Sequence, residues 1–228
     1  IQDPSPQRRR KKVEYDYYME KYLITGGKKL QGVIKPSGAK NVALKVLVAA
    51  CLTDEEIIIH NIPLISDFFV MVDLIKELGA EVSLEDHTVR IKMKQFATTT
   101  ISLDKAAHAR TSAMLIAPLL AREKNAMIPN PGGCRLGARP IDRIIDGVRQ
   151  LNADIDYDSN DGFFHAGTTG LRGMDYTFEK NTHMGTETLI IAAVLAEGTT
   201  ILRNAAEEPE INDLITLLCD MGAEVKRS

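Results

Sequence analysis

Three apolar stretches along the chain share one pattern: Leu47-Val48-Ala49-Ala50-Cys51-Leu52, Leu115-Ile116-Ala117-Pro118-Leu119-Leu120 and Ile190-Ile191-Ala192-Ala193-Val194-Leu195. Each predicts a buried helix. A short polar break and a β-type run follow, clearest over Glu56 to His60 and Thr199 to Leu202. A second helix then ends in a recurring signature: Leu78-Gly79-Ala80-Glu81-Val82, Leu151-Asn152-Ala153-Asp154-Ile155 and Met221-Gly222-Ala223-Glu224-Val225. Gly or Asn at that point is the expected left-handed helix cap, and the alternation after it predicts a strand. A further short strand is expected over Thr88 to Met93.

The unit recurs at roughly 70 residues, long for a solenoid repeat. It predicts an α/β domain with three-fold internal pseudo-symmetry, its units covering about 21–95, 96–168 and 169–228. The pattern leaves open whether helices or sheets face inward. Residues 1–18, with Arg8, Arg9, Arg10, Lys11 and Lys12, are expected to be a disordered extension or tag. Spacing within the units singles out one segment. Leu52 to Gly79 and Leu195 to Gly222 are equally long, and Leu120 to Asn152 is longer by about five residues. The excess falls in Pro131-Gly132-Gly133-Cys134-Arg135-Leu136-Gly137-Ala138-Arg139-Pro140. An insertion in one copy of a repeat is where chemistry is expected, because loops carry function on a rigid scaffold.

Cys134 would sit there on a glycine-hinged turn between Arg135 and Arg139. Neighbouring cations lower a thiol pKa and hold an anionic substrate beside it. Cys51 and Cys219 lie in helical apolar patterns and read as core. The start of each central helix is also polar. Ser37-Gly38-Ala39-Lys40-Asn41 offers backbone N–H groups and a lysine to an anion, although a simple cap by Ser37 explains it equally well. His108-Ala109-Arg110-Thr111-Ser112 opens the second helix, where Arg110 either reaches the same anion or is a solvated first-turn arginine. Thr182-His183-Met184-Gly185-Thr186 opens the third. Together they suggest a site for a phosphorylated or nucleotide ligand.

Composition narrows the classes. Net charge is −3 and aromatic residues are 5%, with no Trp, which gives no support to nucleic-acid binding. Three cysteines without a C-x-x-C pair suit a reducing compartment, and a cytoplasmic location is expected. No apolar run approaches the length of a membrane span. The five histidines are scattered without metal-ligand spacing, and no dinucleotide fingerprint or nucleophile elbow is present; no metal and no cofactor is expected.

The segments KLQGVIKPSGAKNVAL, PGGCRLGARPID and NAAEEPEI are similar to the enolpyruvyl transferase family, above all its UDP-N-acetylglucosamine 1-carboxyvinyltransferase branch. The resemblance runs from about Lys21 to Val225. It implies a domain of three βαβαββ units, half of a two-domain enzyme with the active site in the cleft between domains. It also implies transfer of an enolpyruvyl group from phosphoenolpyruvate to UDP-N-acetylglucosamine, in synthesis of the cell-wall precursor. Lys40 then matches the lysine at phosphoenolpyruvate, Arg110 and Arg139 match the arginines that grip its phosphate and carboxylate, and Asn41 matches the asparagine at the UDP-sugar. Cys134 matches the cysteine that adds to phosphoenolpyruvate and is alkylated by fosfomycin. Pro140, Ile141 and Asp142 match the stretch along the uridine, and His183, Met184 and Gly185 would line the diphosphate pocket.

The sequence departs from the family at several points. Ser66 stands at a family lysine, Arg143-Ile144 follows Asp142 where the family has Leu-His, and His183-Met184-Gly185-Thr186-Glu187 opens the third helix where Ser-Val-Gly-Ala-Thr is usual. Met114 stands where some members have tryptophan. The family's second domain, with its sugar-activating aspartate, is not in this sequence, so the isolated chain is expected to turn over weakly or not at all. A shikimate-type acceptor and a non-catalytic nucleotide-sugar or partner-binding domain of the same fold are the alternatives.

Overall fold

The polar break after each apolar stretch marks the end of a central helix. The computed structural model describes residues 22–132 and 140–227. Residues 22–35 carry no regular secondary structure, and they fall in a unit (1–35) separate from the compact unit 36–228. Helix α1 (Lys40–Ala50) leads to β1 (Glu56–Ile59), α2 (Ser66–Glu77), β2 (Glu81–Glu85) and β3 (Thr88–Lys92). Next come α3 (Leu103–Ala106), a 3-10 helix (Arg110–Leu115) continuing into α4 (Ile116–Glu123), β4 (Asn125–Pro129), α5 (Asp142–Gln150), β5 (Ala153–Asp158) and β6 (Phe163–Thr168). The chain finishes through β7 (Asp175–Thr177), α6 (His183–Ala193), β8 (Ile201–Arg203) and α7 (Pro209–Asp220).

The helices face inward. Leu47, Val48, Ala49 and Ala50 of α1, Ile116, Ala117 and Leu119 of α4, and Leu189, Ile191 and Ala192 of α6 are all fully buried. These helices are apolar nearly all round, as a helix at the centre of a domain must be. Helices α2, α5 and α7 flank them: α1 packs on α2 and α7, and α5 and α4 pack on α6. The sheets lie outside, with one face turned to solvent: β1 alternates exposed with part-buried residues, and β2 is exposed at every position but Val82. Among the described residues, two of the three sheets share a topology, β1-β3-β2 and β4-β6-β5, both antiparallel. Strands β7 and β8 pair in parallel.

The structure corrects two local expectations. Ala223–Arg227, expected to begin a strand, forms none: in the first two sheets the corresponding strand (β2 or β5) hangs on a following one (β3 or β6), and the third has no such partner among the described residues. Cys219 is exposed, not core, because α7 turns that side of its last turn to water; Cys51 is buried as expected. Burial pushes the Cys51 thiol up to about 12, which leaves it protonated and unreactive.

One polar side chain staples the layers. Arg122, near the end of α4, donates to the carbonyls of Cys51 (3.0 Å), Thr53 (3.2 Å), Met93 (2.8 Å) and Lys94 (2.9 Å), and its guanidinium lies 5.3 Å from the Phe96 ring centre. It thereby joins the end of α1 to the segment after β3. Hydrogen bonds to a charged group are each worth about 1.5–3 kcal/mol net, and several share this donor. Arg122→Met is therefore expected to lower stability by about 2–4 kcal/mol in urea unfolding. A loss below about 0.5 kcal/mol, the range of an ordinary surface change, would contradict the role of this staple.

Candidate active site

The starts of the helices meet at one end of the domain. There they line a cavity of about 1150 Å³. Helix α1 contributes Lys40, Asn41, Leu44 and Lys45; the 3-10 helix and the turn before it contribute Ala107, His108, Arg110 and Thr111; α5, with the Ile141 that precedes it, contributes Arg143 and Ile144; and α6, with its cap, contributes Thr182, His183, Met184, Gly185 and Glu187. Neither α1 nor α5 has a side-chain cap. Their first N–H groups and the positive ends of their dipoles are thus turned toward the cavity, an arrangement that favours anions. At α6 the Thr182 hydroxyl accepts from the Gly185 N–H at 3.3 Å.

Gly38 sets where α1 begins. Its N–H donates to the Asn61 carbonyl at 3.0 Å, and a Cβ at this position would collide with that carbonyl oxygen. Asn61 itself is in the left-handed region, at φ 59°. The small residues before Lys40 are therefore explained by backbone approach as well as by any ligand, and Ser37 does not cap the helix.

The sequence-predicted residues are distributed as follows. Lys40 lines the cavity, half exposed, with its ammonium 2.8 Å from Asp67 of α2. Asn41 lines it too and donates to Glu210 of α7 at 3.1 Å. Arg110 lines it and donates to the Pro140 carbonyl at 3.1 Å. Pro140, Ile141, His183, Met184 and Gly185 all contribute to the wall. Asp142 opens α5, is exposed, and is not among the lining residues. Cys134 and Arg139 lie outside the described residues, as does Arg135. Their described flanks reach the same place: Pro140 is in the wall, and Gly132 donates to the Ala106 carbonyl at 3.1 Å beside Ala107. A Cβ on Gly132 would strike the Ala107 backbone, so only glycine permits that approach.

Sequence reasoning passed over the floor of the cavity. Lys45 and Glu187 are almost fully buried and form an ion pair at 2.9 Å. His183 Nε2 lies 3.2 Å from the same carboxylate oxygen. The contacts are close, but neither Glu187 oxygen nor His183 Nε2 meets a well-aligned hydrogen-bond partner among the described residues. The signal was present in the sequence: a lysine stands inside the apolar run of α1, and an acid inside that of α6. Asp67, Arg143, His108 and Thr111 were also not singled out as wall residues.

Burial dominates the titration of this floor. It raises the Glu187 carboxyl from its ordinary value to about 7, with Lys45 pulling it back down. His183 is held below its ordinary value by burial and then by the Lys45 charge, so its ring is neutral around pH 7. Glu210 is held low, by its own backbone N–H first and then by Asn41.

These features define an α/β protein with an anion-receptive cavity at converging helix starts. The profile of the family described as EPSP synthase (3-phosphoshikimate 1-carboxyvinyltransferase) matches residues 24–228. UDP-N-acetylglucosamine 1-carboxyvinyltransferase of Acinetobacter baylyi is 43% identical over 209 residues, 91% of this chain and 50% of that protein. The enzyme of the same name from Coxiella burnetii is 42% identical over 209 residues, 91% of this chain and 48% of its own. The fold matches the crystal structure of the enolpyruvyl transferase NikO from Streptomyces tendae with a TM-score of 0.76 at 19% identity, over 88% of this chain and 47% of that one. It matches EPSP synthase from Acinetobacter baumannii with a TM-score of 0.70 at 17% identity, over 89% and 46%. The chain belongs to the EPSP synthase family of enolpyruvyl transferases. It spans about half the length of the curated relatives it matches.

The Glu187 shift has a direct consequence for stability. A carboxyl raised on folding contributes stability below its unfolded value, and that contribution is lost as pH rises toward the folded one. For Glu187 the window runs from about 4.5 to about 7. Carboxyl-detected NMR is expected to show a midpoint near 7 in the native chain, and a higher one in Lys45→Met, which lacks the opposing cation. A midpoint near 4.5, or one that falls in the variant, would contradict the assignment of burial as the main cause.

Proposed function

We propose that this chain supplies the phosphoenolpyruvate- and nucleotide-facing half of an enzyme that transfers an enolpyruvyl group to UDP-N-acetylglucosamine, in the synthesis of the peptidoglycan precursor in the cytoplasm. The observation that carries this reading is one cavity lined together by Lys40, Asn41, Arg110, Pro140, Ile141 and the His183–Gly185 turn. Residues taken from four separate parts of the sequence are the ones the reaction would need side by side. Their relatives' name supports UDP-N-acetylglucosamine as acceptor over shikimate 3-phosphate.

The proposed chemistry begins with a proton delivered from Cys134 to the methylene carbon of phosphoenolpyruvate. That leaves an oxocarbenium-like centre at the adjacent carbon, and fixed cations offset the substrate's own phosphate and carboxylate. Lys40, Arg110 and Arg139 are assigned to those anions. The sugar hydroxyl attacks the cationic carbon and releases its proton to a base. The tetrahedral adduct then returns a proton from the new methyl group to the Cys134 thiolate as its carbon–oxygen bond to phosphate breaks, giving the enol ether and inorganic phosphate. Asn41, Pro140, Ile141, Asp142 and the His183–Gly185 turn are assigned to the nucleotide sugar. The base and further anion contacts are assigned to the half of the relatives' length that this chain does not span.

We also read residues 19–228 as three units of one plan, at about 21–95, 96–168 and 169–228; residues 1–18, expected to be a disordered extension or tag, lie outside the described residues. Three observations support it. Two sheets share a strand order. The order of helix, strand and helix recurs three times. In each unit the segment before the central helix hydrogen-bonds the one after it: Gly38 to Asn61, Ile101 to Met127 and Phe178 to Arg203.

Fosfomycin labelling followed by peptide mass spectrometry tests the function. Cys134 is expected to react at least tenfold faster than exposed Cys219, with buried Cys51 inert, and Arg110→Ala or Lys40→Ala is expected to slow Cys134 by a similar factor. Equal, slow labelling of Cys134 and Cys219, unaltered in the variants, would overturn the reading.

A further inference from the structure

The floor of the cavity holds charge that the proposed reaction does not use. Lys45 and Glu187 face each other across α1 and α6, 6% and 0% exposed, and both line the cavity. A buried ion pair is weak evidence for stability, because an apolar pair of the same volume serves as well or better. Orphaned polar atoms call for an explanation. Here Glu187 Oε2 has no partner at all among the described residues, and Lys45 has three donor hydrogens with one contact at Glu187 Oε1.

The surroundings decide what this pair can do. His183, on the same helix, is neutral near pH 7 and lies 3.2 Å from the carboxylate. Glu208 and Glu210 at the start of α7 add negative potential to Glu187. Glu210 is engaged by Asn41. Arg143 of α5 and Arg110 of the 3-10 helix line the same cavity, and Lys40 of α1 is paired with Asp67. An anion entering the cavity is attracted by Lys45 and repelled by the ionised Glu187 beside it. The lowest-energy answer is to neutralise the carboxylate and turn the ammonium to the anion.

We propose that Lys45 is a further anion-contacting residue of this site, held in check by Glu187, and that an anionic ligand engages it with uptake of one proton by the Glu187 carboxylate. The proton comes from solvent, and no covalent bond other than that O–H is made. The substrate class is a phosphate or diphosphate group, so the inference deepens the function proposed above and rests on reading the cavity as an anion site. The raised Glu187 carboxyl supports it, since little work is needed to protonate the group near neutrality.

The probe is inorganic sulfate, whose charge is constant between pH 6 and 8, titrated into the whole chain and followed by amide NMR shifts. UDP-N-acetylglucosamine, whose diphosphate charge is also constant, is titrated in parallel. For a carboxyl titrating near 7, affinity should rise about tenfold from pH 8 to pH 6. Glu187→Gln should hold the tight value at both pH values, and Lys45→Met the weak one. If His183 were the source instead, Glu187→Gln would keep the pH dependence, which overturns the proposal. Should either variant fail to fold, calorimetry of the native chain in two buffers of different ionisation enthalpy reads the proton directly: close to one taken up at pH 8 supports the proposal, and none overturns it. Sulfate binding without pH dependence, or no sulfate binding at either pH, also overturns it. Pattern seen with sulfate but no binding of the UDP-sugar refutes the acceptor assignment alone; UDP-sugar bound without proton uptake refutes the Lys45 role alone.

Discussion

Everything at this site depends on central helices that are buried on nearly every side. A helix surrounded by protein cannot hydrate its first N–H groups along its flanks, so those groups must be satisfied at its end. Here the starts of the central helices α1 and α6, and of the flanking helix α5, open on one cavity, and α1 and α5 have no side-chain cap to close them. The helix packing thereby creates a region of positive potential before any lysine or arginine is added. Lys40, Arg110 and Arg143 then strengthen it, and Asp67, Glu187 and Glu210 keep it from being a bare cluster of like charges.

The same constraint explains how the glycines are used. Gly38 and Gly132 lie where one backbone must touch another: the first beside the Asn61 carbonyl, the second beside Ala107. Each fixes a backbone approach beside a candidate segment, α1 in one case and the stretch leading to Cys134 in the other. Arg122 does the complementary work at the far end of the domain, holding the exit of α1 to the segment after β3. The site is thus set by backbone contacts at one end and a single guanidinium at the other.

Much of this was legible in the sequence. The three apolar runs located the central helices because a fully buried helix has no polar face to confuse the pattern. The Gly or Asn signatures located the ends of α2 and α5 for the same steric reason that Gly79 and Asn152 adopt positive φ. The residues opening each helix marked part of the cavity wall, among them Lys40, Asn41, Arg110 and His183. What was not legible was pairing across the fold. Nothing in the run around Lys45 announces that its partner is Glu187, and Asp67 and Glu210 acquire roles only when α2 and α7 are brought against α1. Cys219 was misread because it directly follows the apolar pair Leu217-Leu218, while α7 turns it, with Thr216 and Asp220, to water. The inward placement of the helices was undetermined by periodicity and is settled by burial.

The central claim is that the separate helix starts act as one binding site. Amide NMR shifts on titration with UDP-N-acetylglucosamine test it most directly. The account predicts that Lys40–Asn41, Arg110–Thr111, Ile141 and the His183–Gly185 turn move together with a single dissociation constant. Shifts confined to one of these segments, or clustered elsewhere on the domain, would contradict it.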